Sequence, residues 1–336
     1  MLRVVFGLIL SIACFGAVTE INVIERSDVL DGVSTGAAGP YERIIARAVF
    51  QVDPKLPANR IIADIDLAPR DAAGRVDFSA DLYVLKPRDP AKANGTVLFE
   101  VSNRGGKGML SMFNRAKGSP DPRDDAEFGD RLLLQQGFTL VWLGWQHDTA
   151  KPRELLRAYL PVATQDGKPI TGLVRAQYTP DKKVDTFEVS DRNHTPYPAI
   201  DPEDKSLQLT VRDRVDLAPR TLDRSLWKFS DPTHVTMAKG FEPGKVYELV
   251  YTARDPVVAG LGLAAIRDII SFLKYGGAST QLGDQRKFMK RAIGFGTSQS
   301  GRALRTMMYQ GFNADEKNRR VFDGVWAHVG GRCRAR

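Results

Sequence analysis

The segment that most restricts how this chain can fold is Arg291 to Arg302. There an apolar run, Ala292-Ile293-Gly294-Phe295, meets an amphipathic helical pattern across Gly296-Thr297-Ser298-Gln299-Ser300. A strand that turns at once into a helix forces the residue at the bend into strained backbone angles. The positions two before and two after it must then be small, and Gly296 and Ser300 are. The bend lifts the Ser298 hydroxyl above the sheet edge. It also aims the free amides and partial positive charge of the helix N-terminus at the space beside that hydroxyl. This arrangement suits a nucleophile and a developing oxyanion. Ser300 fits the bend less well, because bulky Arg302 lies two residues after it, and it reads as a packing residue of the first helical turn. The competing explanation is a serine-rich helix cap without chemistry.

Around this segment strands alternate with helices, which predicts an α/β fold with a mostly parallel sheet. Strands are expected at 44–50, 61–67 and 76–85, where β-branched residues alternate between Pro54, Pro57, Pro69 and Gly74, with 69–74 as a hairpin turn. Thr96 to Val101 and Phe138 to Gly144 are apolar enough to be buried on both faces. A helical stretch between them carries Phe128 and Leu132 to Leu134. Residues 151–245 hold many prolines and alternating charge, and read as a β-rich insertion or cap. Val246 to Tyr251 predicts a return to strand and Val257 to Tyr275 the clearest helix. Strand, helix and strand follow at 291–295, 299–310 and 322–329. The expected organisation is an N-terminal β-rich segment over 19–95, the first part of the sheet over 96–150, the insertion, and the part bearing Ser298 over 246–336.

The chain has 48 Lys and Arg against 40 Asp and Glu, a net charge of +8, with both signs interleaved at 121–130 and 213–224. Such solvated faces argue against a nucleic-acid stripe. Two cysteines, Cys14 and Cys333, make neither a disulfide framework nor a zinc spacing, so no metal site is expected. At the N-terminus Arg3 precedes an apolar run from Val4 to Phe15, then Gly16, Ala17 and polar sequence from Thr19. That is the layout of a secretory signal, expected over 1–18 and too short for a permanent span. Export to a periplasm or to the medium is the expectation, with no stable membrane span in the mature chain.

Ser298-Gln299-Ser300-Gly301-Arg302 is followed by Leu304-Arg305, Gly311-Phe312-Asn313 and Phe322-Asp323-Gly324. With these the chain resembles a family of exported α/β-hydrolase domain proteins that carry a Gly-x-Ser-Gln-Ser-Gly-Arg nucleophile elbow. Asp64 to Arg70, Asn103-Arg104-Gly105, Gly144-Trp145-Gln146, Gly240 to Gly244 and Gly262 to Leu273 resemble the same family, so the likeness covers nearly all of the chain after the leader. It implies hydrolysis of a small-molecule carboxylic ester or related acyl compound through an acyl-enzyme on Ser298, with no cofactor. In that fold one oxyanion amide belongs to the residue after the nucleophile, here Gln299. The other comes from the loop after the third strand, here Arg104 or Gly105. A plain flexible turn is the alternative for Gly105-Gly106. His147, beside Asp148 after the fourth strand, is a candidate for lining the substrate pocket, with a structural or surface role as the alternative.

The implied triad order is serine, acid, histidine. After Ser298 there are 38 residues, and their single histidine, His328, closes a strand. It is a candidate base, although a histidine so placed is more often structural. Asp315 and Asp323 precede or adjoin the same strand and suit the acid poorly. The basic ending, Gly330 to Arg336, reads as a cut terminus. The chain is therefore expected to carry the nucleophile and oxyanion half of a serine hydrolase and to be inactive or nearly so. A continuation with a late acid and histidine is expected to restore esterase activity.

Two other functions fit parts of the sequence. Gly260-x-Gly262-x-x-Ala265 opens the best helix in the manner of a dinucleotide fingerprint, which would make an oxidoreductase. Residues 254–259, Pro256 among them, separate it from its strand, and the next strand ends without an acidic residue for a ribose. Close packing of the helix is the better use of these small residues. The long β-rich stretches also suit a non-catalytic binding protein with a degenerate hydrolase half. His194 and His234 read as loop residues of the insertion.

Overall fold

The computed structural model describes residues 17–149, 155–190, 194–276, 282 and 288–331. Cys14, Cys333 and all but the last two residues of the expected leader lie outside them. Those two, Ala17 and Val18, are buried, and Val18 opens the first strand.

Strands β1 (Val18–Asp28), β2 (Tyr41–Val52) and β3 (Val76–Pro87) form an antiparallel ladder. The expected strand at 61–67 is instead a run of turns with a short 3-10 segment at Ile65–Leu67. Ile62, Ile65 and Ala68 are the buried residues there, a spacing of three that suits tight turns and not the alternation of a strand. Next come β4 (Thr96–Val101), β5 (Thr139–Leu143) and the short β6 (Ala158–Tyr159), which extends the sheet beside β3.

The excursion contains β7 (Thr164–Gln165), β8 (Lys168–Pro169), β9 (Thr171–Tyr178), β10 (Val184–Glu188), β11 (Gln208–Arg212), β12 (Arg220–Thr221), β13 (Trp227–Asp231), β14 (His234–Phe241) and β15 (Val246–Arg254). They form a hairpin, β7-β8, and two small antiparallel sheets, ordered β12-β11-β15-β9 and β10-β14-β13, around a core that includes Phe187, Trp227, Phe241 and Leu249. β15 pairs with β9 and β11 along its length. It closes the excursion and does not rejoin the main sheet, so the boundary expected at 245 falls after Arg254. Its burial alternates, with Tyr247, Leu249, Tyr251 and Ala253 inside, as befits a one-sided antiparallel strand.

β16 (Arg291–Thr297) and β17 (Gly324–His328) complete the main sheet, whose order is β1-β2-β3-β5-β4-β16-β17. Pairings among β5, β4, β16 and β17 are parallel, whereas those from β1 to β5 are antiparallel. The sheet is thus mixed, not mostly parallel as the alternation of elements had suggested. Parallel neighbours need a crossover with a helix, and the first three strands have none between them.

Between β4 and β5 run α1 (Met109–Asn114), α2 (Asp125–Phe128) and α3 (Leu132–Gln135). They place Met109, Leu110, Phe128 and Leu134 against Tyr83, Trp142 and Phe295 on one face. The crossover helices α4 (Leu261–Tyr275) and α5 (Gln299–Tyr309) cover the other face, packing Ile266, Ile269, Leu304 and Met307 over Val97, Phe99 and Val141. The step from β4 to β5 and the steps to β16 and β17 run in opposite directions along the sheet, so right-handed crossovers put their helices on opposite faces.

Candidate functional site

β4 and β16 lie side by side, yet the chain leaves them toward opposite faces, to α1 and to α5. Diverging connections of this kind leave a crevice at the C-terminal ends of parallel strands, where open α/β sheets bind ligands. Ser298 follows one strand and Asn103 to Gly106 the other, and Asn103 Nδ2 donates to Thr297 O across the gap at 3.2 Å. β5, parallel to β4 on its far side, delivers Trp145 to Asp148 to the same edge.

Ser298 sits between β16 and α5 with φ 57° and ψ −113°, a conformation that costs a non-glycine residue roughly 1–3 kcal/mol. Its N–H donates to His328 O and its carbonyl accepts from Arg302 N–H, both at 3.0 Å. The bend is tight: a Cβ on Gly296 would lie 2.7 Å from the Ser300 backbone, and one on Gly301 would lie 2.9 Å from Gly296 O and His328 O. The steric demand thus falls on 296 and 301, while Ser300 is fully buried in the first helical turn. Ser298 itself is exposed. Gln299 opens α5, so its amide is one of those a helix N-terminus leaves without an intrahelical partner.

Arg104 and Gly105 are both left-handed, at φ 50° and 78°. The Arg104 N–H donates to Gln146 Oε1 at 3.0 Å and is therefore occupied. The Gly105 N–H has no hydrogen-bond partner among the described residues, while its carbonyl accepts from Leu156 N–H at 3.0 Å. The far end of this loop hangs on Glu100, an acid in the middle of buried β4. Its carboxyl accepts from Gly108 N–H (3.0 Å), Met109 N–H (2.7 Å) and Trp142 Nε1–H. Burial outweighs these donors and pushes its pKa up to about 7. Sequence reading passed over Glu100, although one acid inside an apolar strand was a visible signal. Four buried polar atoms of the two bordering segments, Ser102 Oγ, Asn103 Oδ1, Gln299 Oε1 and Ser300 Oγ, have no hydrogen-bond partner among the described residues. Such atoms are rare and call for an explanation.

Each histidine has a definite place. His328 contributes its carbonyl to the bend; its ring lies edge-on to Trp326, with centroids 6.1 Å apart, and makes no hydrogen bond among the described residues. No imidazole among the described residues lies within hydrogen-bond reach of Ser298 Oγ. His147 stands at the C-terminal edge of the parallel strands but packs against Tyr197 of the excursion, its Nε2 3.5 Å from the Tyr197 hydroxyl. Burial lowers its pKa, ahead of the opposing effect of Asp148. His194, a loop residue of the insertion by its sequence, has a role at this edge that no local pattern marks. Its Nδ1 lies 2.7 Å from Asp148 Oδ2, its Nε2 accepts from Arg104 Nε at 3.1 Å, and Thr195 N–H donates to Asp148 O at 2.8 Å. The excursion is pinned over the sheet edge at this point. His234, by contrast, pairs with Asp231 near the surface.

Among the described residues no group of three or more His, Cys, Asp or Glu could hold a metal ion, and no helix is long and apolar enough to cross a membrane. The space of a dinucleotide fingerprint at α4 is taken by protein: a Cβ on Gly262 would lie 2.0 Å from Trp145 O. Residues 225–336 match the family model described as alpha/beta hydrolase domain. The match takes in β13 to β17, α4, α5 and Ser298, and it supports the family that the sequence resembles. No curated protein and no solved structure matches the chain.

Proposed function

We propose that this chain carries the acyl-transfer site of a serine hydrolase acting on carboxylic esters or related acyl compounds. Ser298 Oγ attacks the acyl carbonyl carbon, the carbonyl electrons move to oxygen, and collapse expels the alcohol to leave an acyl-enzyme that water hydrolyses. The amides of Gln299 and Gly105 are the donors best placed for the oxyanion. Of the two candidates in the loop after β4, Gly105 is preferred because the Arg104 amide is committed to Gln146. The observation that carries this reading is the strained backbone of exposed Ser298 at the start of α5, at the point where the connections of two parallel strands diverge.

A serine hydroxyl without a base is a weak nucleophile at neutral pH, and the described residues bring none to Ser298. Turnover by the chain is therefore expected to be slight and labelling by an activated phosphonate slow. Prolonged incubation with a fluorophosphonate at alkaline pH, where hydroxide can take the proton, followed by peptide mass mapping, tests the proposal. An adduct on Ser298, absent from Ser298→Ala, supports it. A folded chain that stays unlabelled, or labels equally after the substitution, favours a non-catalytic binding protein.

A further inference from the structure

Arg104 is held at the crevice by contacts with two other chain segments, yet part of its side chain is left open. Its backbone is fixed in the left-handed region, with the amide on Gln146 Oε1. Its Nε–H donates to His194 Nε2 at 3.1 Å, and His194 Nδ1 faces Asp148 Oδ2 at 2.7 Å. For both contacts to be hydrogen bonds the imidazole must be neutral, with its proton on Nδ1 toward Asp148 and its lone pair toward Arg104. The nearby carboxylate thus engages the histidine and not the guanidinium. Among the described residues the two terminal nitrogens of Arg104 have no partner.

A guanidinium positioned through its backbone and Nε, with the terminal fork free, is suited to a carboxylate bound by two parallel hydrogen bonds. Its position decides what that carboxylate belongs to. Arg104 is the neighbour in sequence of Gly105, the proposed oxyanion donor, and of Asn103, which reaches Thr297 beside Ser298. An acid group held there belongs to the molecule whose acyl carbonyl faces Ser298.

Resting on the hydrolase reading above, we infer that Arg104 binds a free carboxylate of the substrate. The site then takes acyl compounds that bear an acid group, half-esters of dicarboxylic acids being the simplest. His194 acts as a positioning residue for Arg104, and Asp148 sets the histidine's tautomer.

The test is equilibrium binding to the full chain carrying Ser298→Ala, comparing monomethyl glutarate with neutral dimethyl glutarate by titration calorimetry. The monoanion is expected to bind about ten- to a hundredfold tighter, the worth of a hydrogen-bonded charge. Arg104→Gln should bring that ratio close to one, and Arg104→Lys, which keeps the charge without the fork, should leave it between. His194→Leu should lower the ratio several-fold, and His194→Gln, which retains an acceptor for Arg104 Nε–H, should recover part of it. Equal affinity for the two esters, no binding of the monoanion, or a preference that survives Arg104→Gln overturns the inference. The two proposals fail separately. Labelling of Ser298 without a carboxylate preference removes only this one, whereas an Arg104-dependent preference on a serine that never labels leaves a carboxylate-binding site and removes the hydrolase.

Discussion

In the antiparallel half of the main sheet, β1 to β3, successive strands turn back at alternate ends. In the parallel half every connection returns along a face, so all strands finish, and the crossover segments begin, at one edge. The polar residues follow this difference. In the antiparallel half the charges meet one another: Arg47 with Asp81, Lys86 with Glu42, and buried Arg43 with Asp121 and Glu25. Even the cavity of about 590 Å³ on that side is lined by Arg47, Asp81 and Asp121 from these pairs. Among the described residues the antiparallel half leaves Arg47 Nε as its one buried polar side-chain atom without a partner, whereas at the parallel edge Ser102, Asn103, Gln299 and Ser300 each hold one and the Arg104 fork is open. Chemistry collects where strand ends and helix starts coincide, because backbone amides converge there and the crossovers leave a gap between them.

The comparison can be broken most severely through α4. Arg267 and Asp268 are both buried, 2.7 Å apart, and Arg267 also donates to Ala58 O and Asn59 Oδ1. Asp268→Ala removes the nearest carboxylate of the buried guanidinium, leaving Glu316 at 3.7 Å, and is expected to cost about 3 kcal/mol in denaturant unfolding. In the antiparallel half Asp28→Ala frees only exposed Arg88 and should cost under about 0.5 kcal/mol. Similar losses at the two places would erase the distinction.

Two acids, Glu100 within β4 and Asp121 paired with Arg43 of β2, should respond to pH with opposite signs. Glu100 has a folded pKa of about 7 against an ordinary 4.5, raised by burial. The folded chain holds that proton more tightly, so its contribution is fully present below about pH 4.5 and is lost as pH rises through 7. Glu100→Gln should flatten this part of the stability profile, removing a difference of about 3 kcal/mol between acid and neutral pH. For Asp121 burial is outweighed by Arg43 and Arg123, which hold the carboxyl below its ordinary 3.8. Its contribution is present above that value and is lost as pH falls, so Asp121→Asn should alter the acid limb alone. Melting curves across pH read both slopes, and a Glu100→Gln profile parallel to the parent's would contradict the assignment.

A further contrast between the two regions concerns space. Gly262→Ala pushes α4 against the Trp145 carbonyl and should cost about 2–3 kcal/mol. It also displaces the loop that brings Gln146 and Asp148 to the edge, which should weaken any carboxylate preference. Gly74→Ala lies in an open turn before β3, at φ 77° with nothing near its Cβ, and should cost about 1 kcal/mol. Calorimetric melting of the two variants sharpens the contrast between a packed crossover and an open loop turn.

Much of the frame was legible in the residues. The strands at 41–52, 76–87, 96–101 and 139–143 and the helices after 261 and 299 follow alternation, apolar runs and helical spacing. Where reading by pattern failed, the partner of the segment was the missing information. Ile61 to Leu67 has the composition of a strand, but Asp64 adopts a left-handed turn and the chain folds over the core instead. Val246 to Arg254 is a strand, and its place in the excursion depends on β9 and β11 being nearer than the main sheet.

By itself the sequence determined the bend at Ser298, because the steric demand on Gly296 acts against Ser300 and Gly301, only a few positions away. It also determined which stretches could be strands or helices, since periodicity is a local property. Only the tertiary structure decided that half the sheet runs antiparallel, that Glu100 anchors the loop beneath the crevice, and that His194 meets Arg104 across 90 residues of chain. Such a contact depends on where the excursion folds back, and no pattern near either residue encodes that distance.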